Sequence, residues 1–177
     1  MQRISTTVIG LVGERARASA EALDRAANIR VELPDPDAPP LDRAVAAWQA
    51  ATSTQAPYLV HDADPLALVA DAWVRRYDQQ GPAGELEVAV GETLSRWRSR
   101  AIELPDYYLV LDAESWGATR RHWFLGLLHR AAPSRVVPVE GGADRAQATI
   151  ATLAGGRWWP ELDRLLADVD RVVPDRL

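Results

Sequence analysis

The chain has 177 residues, 47% of them hydrophobic and 25% charged, with a formal net charge of -5. That length and balance suit one globular domain with a sizeable core, and the acidic excess argues against nonspecific nucleic-acid binding, which neutralises phosphates with a basic surface. Cysteine is absent and all 20 basic residues are arginine, which excludes disulfides, thiolate nucleophiles, thiolate metal sites and Schiff-base lysine chemistry.

No stretch reaches the roughly 20 continuous apolar residues a membrane helix needs. The segment MQRISTTVIG lacks the long apolar core and small-residue cleavage site of a secretory leader. The expectation is a cytoplasmic protein with no membrane partner.

Thr6 to Val12 is rich in β-branched and apolar residues and ends at Gly13, the pattern of a buried strand. From Glu14 to Asn28, Ala16, Ala20, Leu23 and Ala27 form one apolar stripe, which predicts a helix. A short strand over Ile29 to Leu33 follows, then a stiff loop holding Pro34, Pro36, Pro39 and Pro40. Leu41, Val45 and Trp48 predict a helix over about Leu41 to Ala51, and Pro57 to His61 reads as the third strand.

Asp64 before Pro65 has the pattern of a helix cap followed by a first-turn proline. The helix it opens carries Leu66, Val69, Trp73 and Tyr77 and stops at Gly81-Pro82; Leu86, Val90, Leu94 and Trp97 mark another over about Gly84 to Arg100. DYYLVL, Asp106 to Leu111, is the clearest strand, followed by a helix carrying Trp116, Trp123, Leu127 and Leu128. Arg135 to Val139 reads as the fifth strand. A helix with Ala146, Ile150 and Leu153, a break at Gly155-Gly156 and a last helix over about Pro160 to Val172 complete the chain. Strands alternating with helices imply an α/β three-layer sandwich: about five mostly parallel strands with helices on both faces, one domain over residues 1–177, Rossmann-like or P-loop-like in topology without those motifs.

In such sheets the ligand crevice lies beyond the carboxyl ends of the strands. If the first, third and fourth strands are neighbours, Asp62, Asp64, Asp112 and Glu114 share one rim. Clustered carboxylates there suit magnesium and are the candidate catalytic set of a magnesium-dependent phosphoesterase or nuclease, with Glu140 as an addition. The plainer reading makes them caps: Asp64 on the helix at Pro65, Asp112 on a turn, Glu114 at a helix start.

VIGLVGERARASAEAL resembles a P-loop NTPase in its strand, turn and helix. Gly10 and Gly13 would let the backbone approach a phosphate at a helix N-terminus, with Arg15 beside them. Where that family needs Gly-Lys-Ser or Gly-Lys-Thr, this chain has Arg15, Ala16 and Arg17, so the resemblance implies a degenerate nucleotide site without hydrolysis. Glu32, ending the second strand, stands where a ribose-binding carboxylate is expected in a dinucleotide fold. LVLDAES resembles the opening strand of PIN-domain ribonucleases, but here that strand begins past residue 105. VEGGAD resembles the glutamate motif of toprim domains, but the Asp-x-Asp that should follow is absent downstream. Neither activity carries over.

His122 and His129 share a helix face without a third zinc ligand, and His61 adjoins Asp62 on a strand whose neighbours point apart. Arg96, Arg98 and Arg100, and separately Arg120, Arg121, Arg130 and Arg135, form two basic clusters that would hold an anion or acidic partner if they converged. Of seven tryptophans, the adjacent pair Trp158 and Trp159 is the candidate protein contact. Since every catalytic motif is incomplete, the leading expectation is a non-catalytic binding or regulatory domain. It would take a protein partner or a small ligand at the rim, with candidate ligand residues Gly10, Gly13, Arg15, Glu32 and Glu140.

Overall fold

The computed structural model describes residues 5–155 and 159–174. Its centre is a five-stranded sheet in the order β2-β3-β1-β4-β5, formed by β1 (Thr7–Val12), β2 (Ile29–Glu32), β3 (Tyr58–His61), β4 (Tyr107–Leu111) and β5 (Val136–Val139). Every pairing is parallel. The two longest apolar runs, β1 and β4, take central positions covered on both faces, which is why they read as continuous rather than alternating hydrophobic segments. The α/β sandwich expected from the alternation of elements is the fold found.

Helix α1 (Ala16–Leu23) and α7 (Gly142–Ile150) cover one face, packing Ala16, Ala20, Leu23, Ala146 and Ile150 on Ile9, Leu11, Leu109 and Leu111. The other face carries α2 (Pro40–Ser53), α3 (Ala67–Tyr77), α4 (Glu85–Arg98) and α8 (Leu162–Ala167), with the helical run α5 (Ala118–Arg121), a π-helix (His122–Leu128) and α6 (His129–Ala131). The π turn lets Trp123, Phe124, Leu127 and Leu128 all face this core, and the His122 ring occupies the space where a side chain at residue 126 would sit.

Several boundaries differ from expectation. Helix α1 stops at Leu23, its last buried residue, and a turn through 24–28 feeds β2. The last helix covers Leu162–Ala167 rather than reaching Val172, and the Val169 carbonyl beyond it accepts the Trp73 indole N–H at 3.0 Å. Helix α3 begins at Ala67, so Asp64 is not its cap; its Oδ1 instead accepts the Leu66 amide in a tight Asx turn. Trp116 precedes α5 in extended conformation. Among the described residues no helix is long and apolar enough to cross a membrane.

Candidate functional site

Strand β1 lies between β3 and β4, so its exit loop runs to one face of the sheet while the connections after both neighbours cross the other. Opposed exits open a crevice at the strand ends. A cleft of about 240 Å³ lies there, lined among others by Gly13, Ala16, Arg43, Asp62, Asp64, Asp71, Trp116, Arg120 and Phe124. A second depression of about 420 Å³, walled by Glu14 and Ser115, continues it outward past Gly13, Trp116 and Arg120.

Gly13 turns β1 into α1 with φ +127°, a conformation reserved for glycine. A Cβ there would stand 2.8 Å from the Leu111 carbonyl oxygen and 3.0 Å from the Trp116 ring. The glycine therefore permits close packing of this turn on β4. Two arginines at the start of α1 act as clamps: Arg15 reaches Asp112 beyond β4 at 3.4 Å, and Arg17 reaches Asp62 beyond β3 at 3.1 Å. The start of α1 is thus tied to both strands flanking β1.

Asp62 is the most enclosed of these groups, its side chain 5% exposed. One carboxylate oxygen, Oδ2, accepts from Arg17 at 3.1 Å and forms an ion pair with Arg43 at 3.1 Å, while Arg43 donates to the Asp62 carbonyl and Arg17 to that of Pro34. The other oxygen, Oδ1, is buried without a hydrogen bond, as is Nε of Arg43. Leaving such groups unmatched costs about 1–3 kcal/mol each.

Asp64 accepts the Tyr108 hydroxyl at 2.7 Å as well as the Leu66 amide at 2.8 Å. Burial dominates these hydrogen bonds and pushes its carboxyl up to about 6. Burial pulls His61 down to about 4, against the opposing pull of Asp62, so its ring is neutral near pH 7. At the cleft mouth Arg120 of α5 pairs with Asp71 of α3 at 2.8 Å.

The four candidate carboxylates separate. Asp62 and Asp64 line the cleft; Asp112 is held to its side by Arg15 and the Gly141 amide, and Glu114 is exposed on the turn after β4. Among the described residues no three acidic or histidine side chains converge closely enough to hold a metal ion. The geometry therefore lends no support to the magnesium reading. Gly10 is not part of the loop but lies within β1, packed among Pro105, Tyr108 and His61. Glu32 lies outside the cleft lining because β3 is inserted between β2 and β1, and Glu140, exposed beyond β5, lies outside it too.

The remaining candidates also disperse. His129 contacts the Val136 carbonyl at 3.1 Å, whereas His122 stacks on Trp73. Arg96 pairs with Asp42, Arg135 lies buried over the Tyr107 ring, and Arg121 and Arg130 border a separate groove. That groove brings Arg121 and Arg130 together with His122 and His129, while Arg120 and Arg135 are engaged elsewhere. Trp159 donates to the Pro105 carbonyl at 2.7 Å and packs edge-on against Tyr108, which engages it within the fold; Trp158 lies outside the described residues. Arg120, one of the second basic cluster, does line the cleft, whereas no local pattern marks Arg43, Asp71, Trp116 and Phe124 as site residues. Their shared location follows from helix packing alone.

No family model, curated protein or solved structure matches the chain.

Proposed function

We propose that this chain is a binding domain that takes a small, hydrogen-bond-donating ligand in the cleft at the end of β1, with Asp62 as its polar anchor. The observation that carries this reading is the enclosed Asp62 carboxylate with one oxygen left without a partner at the sheet's crevice. Buried polar atoms are nearly always matched, so an unmatched acceptor enclosed beside the cleft is complementary to a donor that reaches it as the lining side chains shift on binding.

Arg43 Nε, the unmatched donor on the same ion pair, complements an acceptor. A molecule that both donates and accepts, such as an amide or a nucleobase, is complementary to this pair of unmatched groups. Trp116 and Phe124 supply an aromatic wall for its flat face. A single ring or amide suits the inner space of about 240 Å³, and the outer depression receives the remainder of the molecule. The arginines of the inner cleft are already paired with carboxylates, which favours a neutral group over a phosphate at the inner end. Nucleotide binding thus remains part of the proposal through the base.

Thermal-shift screening against nucleobases, nucleosides, nucleotides with and without magnesium, and small amides is the direct test. The expected result is stabilisation by one of these classes, with affinity falling at least about tenfold in Asp62→Asn and Trp116→Ala, each judged folded by circular dichroism. Absence of a shift from every class, or a shift indifferent to both substitutions, would overturn the proposal.

A further inference from the structure

The sheet has two edges, and they are built differently. In β5 the Tyr108 amide bonds to Arg135 O and the Asp112 amide to Val139 O, so residues 135 and 139 face β4, while 136 and 138 present their backbone outward. One of those outward residues is Pro138, which has no N–H to offer. At β2 the Tyr58 amide bonds to Asn28 O. By the alternation of a parallel ladder, Arg30 and Glu32 direct their backbone groups to β3, and Ile29, Val31 and Leu33 direct theirs away from it.

The side chains alternate too. Ile29, Val31 and Leu33 lie on the α1 side, where a groove of about 330 Å³ bounded by Glu21, Asp24, Val31 and Leu33 runs beside the edge. Arg30 is exposed and Glu32 half-buried on the opposite face, and neither has a charged partner among the described residues.

We propose that β2 is a self-association edge, through which a second copy of the chain pairs antiparallel about a two-fold axis at Val31 and joins two five-stranded sheets into one. Charge selects the register. Hydrogen-bonded pairs must use the outward residues, which leaves three central arrangements. Ile29 opposite the partner's Val31 sets Arg30 against the partner's Arg30, and Val31 opposite the partner's Leu33 sets Glu32 against the partner's Glu32. Like charges directly opposed destabilise a ladder.

Only Val31 opposite the partner's Val31 brings Arg30 against the partner's Glu32, twice by symmetry. Ile29 then meets the partner's Leu33 on the apolar side. The Arg30 and Glu32 positions fall at the closely spaced, non-hydrogen-bonded sites, where cross-strand side chains approach most nearly. Pro138 prevents the same growth at the far edge, so association closes at a dimer.

Sedimentation and light scattering over a concentration series test this directly. The wild-type chain is expected to show a monomer–dimer equilibrium. Arg30→Glu and Glu32→Arg, each judged folded by circular dichroism, are each expected to weaken it by roughly tenfold. The double exchange, Arg30→Glu with Glu32→Arg, restores the complementary pairs and with them the dimer. A monomer up to millimolar concentration would overturn the proposal and leave Arg30 as a guard against edge pairing. A dimer indifferent to the single changes, or a double exchange as weak as either single one, would overturn the register and the edge alike.

Discussion

Asp62 and Asp112 each stand immediately after a strand beside β1, and each is held by an arginine from the start of α1. Their surroundings differ. Asp62 is 5% exposed and gathers two arginines, whereas Asp112 is 30% exposed and meets an arginine whose side chain is 63% exposed. The β3 half of the rim is a desolvated ion cluster with unmatched atoms; the β4 half is a solvated turn in which Asp112, at φ +48°, also takes the Gly141 amide. One local pattern therefore yields an enclosed, cleft-lining carboxylate on one side and turn geometry on the other, because α2 covers only the first.

The contrast is broken most decisively at Asp62. Replacing it with alanine leaves Arg17 and Arg43 facing one another without their shared carboxylate, and a loss of about 3 kcal/mol is expected, at the lower end for buried pairs because both arginines keep some contact with water. Urea unfolding measures it. A loss no greater than that of Asp112→Ala would erase the distinction between the two halves.

Asp64 sharpens the comparison through pH. Its folded pKa is raised from 3.8 to about 6, so the stability associated with its protonated form is present at low pH and is lost as pH rises through about 6. His61 runs the other way. With its folded pKa lowered from 6.5 to about 4, its neutral ring contributes above pH 6.5, and that contribution is lost as pH falls towards 4. The opposing slopes nearly cancel between pH 4 and 6 in the wild type. Asp64→Asn keeps an acceptor for Leu66 and Tyr108 while removing the buried charge. It is expected to gain about 2 kcal/mol at pH 7 and to uncover a decline in melting temperature below pH 6.5. A variant whose pH profile parallels the wild type would show that Asp64 is not desolvated.

The smallest effect is expected at the exposed clamp. Arg15→Ala should change stability by less than about 0.5 kcal/mol, because its ion pair is long and largely solvated. A loss comparable to that of Arg17→Ala in parallel urea titrations would make the two clamps equivalent.

The strands of this fold are legible because their signal is local: apolar runs such as LVL before Asp112 or YLV before His61 mark buried strands by composition alone. The site is less so. Arg17 and Asp62 are 45 positions apart, Arg120 and Asp71 are 49 apart, and Arg15 and Asp112 are 97 apart. Such pairs exist only once β3 and β4 flank β1, an order no single segment encodes. The Asp64 turn was partly readable from Asp-Ala-Asp-Pro, but the Tyr108 hydroxyl that competes for its oxygen is 44 residues away. The π-helix carries no local mark, because HWFLGLL differs from an α-helical segment only in how the tertiary core draws on it.

The position of β1 also bears on how the chain is made. It is synthesised before either of its neighbours: its register with Tyr58–His61 and Tyr107–Val110 means that its β3 flank is available once residue 61 has emerged, whereas its β4 flank waits for residue 110. The Val8 amide bonds across 98 positions to Asp106. Nascent chains shorter than that carry an apolar strand with an open edge, the kind of surface that aggregates or recruits chaperones. For this molecule, the interval in which β4 is still being translated is the hazardous stage of its biogenesis.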